Sequence, residues 1–163
     1  ETLNAYRDYT SKGLLTHDEI FRGIHERGRD NSRTPVQWSD EAHGGFTTGT
    51  PWIGVNPNYV DINAEAARKD PNSLFHYYRQ LIALRKANPL VVYGKYELLL
   101  PEDEAIYAFT RSFEGETWLV LCNFSGDTQQ RDLPYDVKER VIGNMEPIEP
   151  FTLRPYEAQV YKL

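Results

Sequence analysis

At Asn88-Pro89 the sequence changes its period, and that change constrains the fold more than any other feature. Upstream of it, Leu74, Tyr77, Tyr78, Leu81, Ile82 and Leu84 recur at helical spacing as a broad apolar stripe, while Arg79, Arg85 and Lys86 favour solvent and the C-terminal end of the helix dipole. Asp70 as N-cap and Pro71 in the first turn open this helix, which is expected over about 71–87. Downstream, residues 91–93, 96–100, 105–113, 117–124, 129–133, 140–142 and 158–163 are short strand candidates. Turn formers such as Glu114-Gly115 and Ser125-Gly126-Asp127 separate them. Ile106, Ala108 and Thr110 alternate with Tyr107, Phe109 and Arg111, as in a strand with two differently used faces. This half is predicted to be an antiparallel sandwich or small barrel.

The first 62 residues read differently. A helix over residues 1–12 ends at Gly13. A second is announced by Thr16-His17-Asp18-Glu19, a capping box, and runs through Ile20, Phe21 and Ile24 to about Arg27, ending at Gly28. His17 and His25 lie on its polar side and have no further ligand at metal spacing, so both are expected to be surface residues and no metal is expected. From 28 to 62 the chain has almost no periodicity, which is long for a structureless passage in a compact domain. Only a short helical piece around 64–68 follows. Two modest helices and a loop offer too few periodic apolar positions to close a core of their own, so their packing partners are expected elsewhere.

That aperiodic passage contains Arg29-Asp30-Asn31-Ser32-Arg33-Thr34-Pro35-Val36-Gln37-Trp38 and, after a gap, Gly44-Gly45-Phe46-Thr47-Thr48-Gly49-Thr50-Pro51-Trp52. Guanidinium forks and amides can exchange hydrogen bonds with paired hydroxyls, and aromatic faces can cover the C–H side of a sugar ring. The same residue types also pin down long loops that bind nothing. Asp30 is the only acid embedded in this stretch, and its expected role is to orient Arg29, Arg33 or a backbone amide. Glycoside cleavage usually needs two carboxylates flanking the bond, and no complete catalytic set can be assembled here. No Cys/His metal spacing, phosphate loop or Gly-x-Ser-x-Gly elbow is present. No cofactor is expected.

The 18 lysines and arginines against 24 acids give a net charge of −6, and the positive charges form no run that could neutralise a phosphate backbone. Nucleic acid is therefore not an expected partner. No apolar stretch approaches the roughly 20 residues that cross a bilayer, so no membrane partner is expected either. Cys122, the only cysteine, sits in an apolar strand candidate and is expected to be a buried thiol. Nothing requires an oxidising compartment, and the expected location is cytoplasmic. The chain begins at Glu1 without Met, which leaves open any leader sequence.

The loop motif, together with Val55-Asn56-Pro57-Asn58-Tyr59, Ile62-Asn63, residues 73–86, Val91-Val92-Tyr93-Gly94 and Leu153-Arg154-Pro155-Tyr156-Glu157-Ala158, closely resembles the C-terminal third of the oligo-1,6-glucosidase and α-glucosidase branch of the α-amylase family (glycoside hydrolase family 13). The resemblance covers essentially the whole chain. It implies an α+β fragment: residues 1–88 as the last loop and helices of a (β/α)8 barrel, following its eighth strand, and 89–163 as an antiparallel β-sandwich domain. It also implies a retaining exo-α-glucosidase acting on α-1,6 bonds of isomalto-oligosaccharides, whose catalytic carboxylates all lie upstream of Glu1. The N-terminal part of the same barrel is then the expected partner. Trehalose-6-phosphate hydrolase, a maltose-type α-glucosidase, sucrose isomerase and a non-catalytic, transporter-associated relative are the alternatives. Arg29 is the residue carried over as substrate-binding, reaching the glucose in the innermost subsite, and Asp30 and Arg33 as supports of the loop. Val36, where many relatives have Met, is a packing departure.

Overall fold

The computed structural model describes residues 2–163; Glu1 lies outside them. The chain divides into two compact units, one up to Ser73 and one from Leu74 to Leu163. The first holds α1 (Thr2–Ser11), α2 (His17–Arg27) and α3 (Ala64–Lys69), with 3-10 turns at Arg29–Ser32, Ala42–Gly45 and Pro57–Val60. The capping box on α2 is formed in both directions, since the Glu19 N–H donates to Thr16 Oγ1 and the Thr16 N–H donates to the Glu19 carboxylate. His17 is tied to α1 by a 2.9 Å hydrogen bond between its Nδ1 and the Tyr6 hydroxyl. Among the described residues of this unit only Pro35 and Gly44 are buried. The shortage of core foreseen from the aperiodic passage is therefore a property of the folded unit.

The second unit has three layers. Its centre is a five-stranded antiparallel sheet of β1 (Lys95–Leu99), β2 (Ile106–Phe113), β3 (Glu116–Asn123), β5 (Glu139–Gly143) and β7 (Ala158–Lys162), in the order β1-β2-β3-β7-β5. A two-stranded pair, β4 (Gln129–Gln130) with β6 (Thr152–Leu153), forms a smaller second sheet. Ile106, Ala108, Leu119, Leu121 and Tyr161 cluster with Leu133 and Leu153 as the buried core of this sandwich. The alternation read along β2 is one cause, because odd and even positions of a strand point to opposite faces, and the apolar run of β3 supplies both faces.

The other face of the large sheet carries α4 (Leu74–Ala87) and α5 (Pro89–Tyr93). Leu81 and Leu84 of α4 and Leu90 of α5 line, with Phe109, Trp118 and Val120, an apolar space of about 180 Å³. Trp118 is buried there, and its indole N–H donates to Glu116. Cys122 is only partly buried on this face, and its burial pushes the thiol pKa up.

Three local expectations need correction. α4 begins at Leu74, not near residue 71, because Asp70 caps a turn instead: its carboxylate accepts from the Asn72 N–H at 2.9 Å and its carbonyl from the Ser73 N–H at 3.1 Å. Residues 91–93 are helical. Pro89 sits in the first turn with its φ already suited to a helix, the Gly94 N–H closes on the Leu90 carbonyl, and Leu90 is buried, which together override the β preference of two valines. The strand expected over 129–133 stops at Gln130, after which Leu133 enters the core, and its partner β6 was too short to be seen as a period.

Candidate functional site

The 28–62 passage is folded by backbone bonds and amide side chains, not by its arginines. Gln37 is the centre of the arrangement: its amide N–H group donates to Asn58 Oδ1 at 3.0 Å and to the Ile62 carbonyl, and its own carbonyl accepts from the Ala64 N–H at 2.8 Å. Trp38 N–H donates to the Gly44 carbonyl and Glu65 N–H to the Trp38 carbonyl, joining the loop to the start of α3. Asn63 caps α3 by accepting from the Ala66 N–H at 2.8 Å, and its amide donates back to Tyr59. Between these ties His43, Gly44 and Gly45 run through the left-handed region. A Cβ on Gly45 would stand 2.5 Å from Ser39 Oγ, so the sharp reversal needs glycine there for both conformation and space. None of Gln37, Asn58, Asn63 or Gly44 stood out as a supporting residue in the sequence, although the Asn-rich run before a helical piece was a readable capping signal.

Arg29 and Asp30 lie in the 3-10 turn Arg29–Ser32, which is closed by Ser32 Oγ donating to the Arg29 carbonyl at 2.8 Å and by the Arg33 N–H donating to the Asp30 carbonyl at 3.0 Å. All three side chains are exposed, and among the described residues none of them makes a side-chain hydrogen bond or ion pair. Asp30 and Arg33 thus contribute to the turn through their backbones. The loop's aromatics Trp38, Phe46 and Trp52 are exposed, Trp52 by 83%, and no ring contact among the described residues joins them. On α3 beside the loop, the pKa of Lys69 is raised chiefly by the hydrogen bond and charge of Glu65, with Asp40 adding to it.

Chemically, this presents a guanidinium whose donors are unspent among the described residues, on a short, backbone-closed turn, which suits positioning a polar ligand. It does not provide a nucleophile and a proton donor across a scissile bond. Two family models match the chain in succession. The α-amylase catalytic domain matches residues 7–94 and the maltogenic amylase C-terminal domain matches residues 96–160. The chain belongs to the α-amylase family.

Among curated relatives, it is 45% identical to an oligo-1,6-glucosidase of Halalkalibacterium halodurans over 99% of its length, and 46% identical to one of Parageobacillus thermoglucosidasius over 100%. It is 43% identical to a trehalose-6-phosphate hydrolase of Bacillus subtilis over 100% of its length. The chain spans about 30% of the length of these relatives. Among solved structures, the trehalulose synthase of Pseudomonas mesoacidophila superposes with a TM-score of 0.88 at 38% identity, covering 99% of this chain and 30% of that one.

Proposed function

We propose that this chain is the C-terminal portion of a retaining exo-α-glucosidase that hydrolyses α-1,6 bonds of isomalto-oligosaccharides. The observation that carries the reading is identity of 45–46%, end to end, with oligo-1,6-glucosidases of two organisms. In this reading residues 1–88 close the barrel and 89–163 form the domain behind it. Arg29 supplies the fork that holds the hydroxyls of the terminal glucose, because its donors are not used among the described residues and a planar two-point contact fixes a sugar in one orientation. Asp30 and Arg33 support that fork from the same turn. The carboxylates that attack and protonate the glycosidic bond belong to the remainder of the protein.

A second reading, trehalose-6-phosphate hydrolase, is supported by the 43% identity over the full chain. The full-length protein assayed on isomaltose, maltose, trehalose-6-phosphate and sucrose decides: turnover of isomaltose well above the others supports the first reading, and preference for trehalose-6-phosphate replaces it. We place the enzyme in the cytoplasm, on the grounds that no described helix is long and apolar enough to cross a membrane and the single cysteine permits no internal disulfide. Fractionation of the source cells with activity outside the cytoplasm would overturn that placement.

A further inference from the structure

The Arg29 turn joins two blocks of the first unit and is fastened to them unequally. Upstream it continues α2, where the Gly28 N–H donates to the Ile24 carbonyl at 2.8 Å, and α2 leans on α1 through His17 with Tyr6 and through the edge of Tyr6 on Phe21. Among the described residues no backbone hydrogen bond joins residues 2–28 to residues 34–73. The connection between the blocks is therefore the turn itself and the three residues after it. Thr34-Pro35-Val36 is a stiff link, because the buried Pro35 fixes its own φ and disfavours a helical bend at Thr34. Its far end is gripped at Gln37. The two amide N–H groups of Gln37 diverge, one to Asn58 Oδ1 at 3.0 Å and one to the carbonyl of Ile62, the residue before the α3 cap. Its carbonyl accepts from Ala64, and Gly44 packs so closely that a Cβ there would stand 3.4 Å from the Gln37 Cα.

We propose that Gln37 is a positioning residue for Arg29: its amide clasp holds the far end of the Thr34–Val36 link and so sets where the Arg29 turn stands. Arg29 is exposed, and its turn is closed only onto itself, by Ser32 Oγ and by the Arg33 N–H, so the guanidinium is placed no better than the backbone that carries it. The catalytic consequence rests on the reading of Arg29 as the sugar-holding fork; the mechanical one does not. A shift of about 1 Å in a group that orients a substrate costs on the order of a hundredfold in rate, so an amide eight positions from the fork is able to govern turnover.

The test uses the full-length protein and Gln37→Glu, which keeps the shape of the side chain but replaces both donors with acceptors facing the Asn58 and Ile62 oxygens. Its mechanical arm is hydrogen exchange, which needs no substrate. The Arg33 N–H, bonded across the turn to the Asp30 carbonyl, is expected to exchange at least about tenfold faster than in the parent, while the amides of residues 21–27 in α2 keep their rates. Unchanged exchange at Arg33, or acceleration shared equally by α2, overturns the proposal whatever the enzyme hydrolyses. The kinetic arm is a double-mutant cycle on whichever of isomaltose, maltose, trehalose-6-phosphate and sucrose the parent turns over best. Gln37→Glu is expected to lower kcat/KM by at least about tenfold, and by a factor at least about five smaller in an Arg29→Ala background, where the fork it aims is gone. A smaller difference between the two backgrounds leaves Gln37 with a structural role only and overturns the proposal. A parent that turns over none of the four defeats the glucosidase reading and not this one, which the exchange arm then decides. Should Gln37→Glu fail to fold, Asn58→Ala replaces it in both arms; Asn58→Asp, which keeps the accepting oxygen, is expected to recover most of the loss, and equal losses in the two Asn58 variants defeat the proposal.

Discussion

At the scale of single residues, what a side chain leaves unbonded is as informative as what it bonds. Arg29 makes no side-chain bond within the described chain, so its removal has little structure to break here. In the full-length enzyme Arg29→Ala is expected to lose two charge-assisted bonds to sugar hydroxyls, on the order of 1.5–3 kcal/mol each, or about two to four orders of magnitude in kcat/KM. Arg29→Lys is expected to recover little, because an ammonium lacks the planar fork. Near-normal efficiency accompanied by a clear fall in Tm would reassign Arg29 to loop bracing. Asp103 is the opposite case, with both carboxylate oxygens bonded: it accepts from Arg131 at 2.5 and 3.1 Å and from the Ala105 and Ile106 N–H groups at 3.0 and 2.9 Å. These contacts, the Arg131 bond foremost, hold its carboxyl well below the usual carboxylate range. A depressed folded pKa means stabilisation that is complete above the unfolded value of about 3.9 and drains away as the pH falls toward the folded one. Asp103→Ala is therefore expected to lower stability by about 1–3 kcal/mol at pH 7 and by progressively less below about pH 4. Denaturant melts of both proteins from pH 7 to pH 2 check this, and a difference that does not shrink in acid refutes it.

Among the elements, those legible in the sequence were the ones whose period was reinforced by a cap or a turn. α2 has its capping box, and β2 has alternation and β3 an apolar run on either side of Glu114-Gly115, whose φ values of 50° and 85° make the two-residue reversal that pairs Phe113 with Glu116. Because Glu114 occupies a left-handed position that Asn tolerates better, Glu114→Asn is expected to raise stability by a few tenths to ~1 kcal/mol, read as a higher melting midpoint with an unchanged m-value. Illegible elements were those decided by tertiary context. Two valines went helical because Leu90 found a buried site, and two-residue strands have no period to detect. The candidate site divided in the same way: the arginines announce themselves by chemistry, whereas Gln37 works through Asn58 and Ile62, more than twenty positions away, and such pairings leave no local trace. α4 also sets a further expectation. A protein of residues 74–163 should melt cooperatively, while one of 89–163 uncovers Phe109, Trp118 and Val120 and should bind a hydrophobic dye and lose its sharp transition. Equal cooperativity in both would show that the sheet needs no helix.

For the molecule as a whole, stability is unevenly distributed. Burial is concentrated in the second unit, and the first is held by loops, caps and backbone ties, with only Pro35 and Gly44 out of solvent among its described residues. Limited proteolysis of the 163-residue chain is expected to cut first within 28–62 and to spare 104–124, where β2 and β3 pair along their full length. Early cleavage between β2 and β3 with the loop intact would contradict that order. The sheet order has a consequence for how the protein is made. β7 is the last strand in sequence yet lies between β3 and β5, pairing Val120 with Val160 across forty positions. During synthesis the first three strands and β5 must therefore wait, their facing edges unmatched, until residues 158–162 leave the ribosome, so the sheet is zipped shut from its middle.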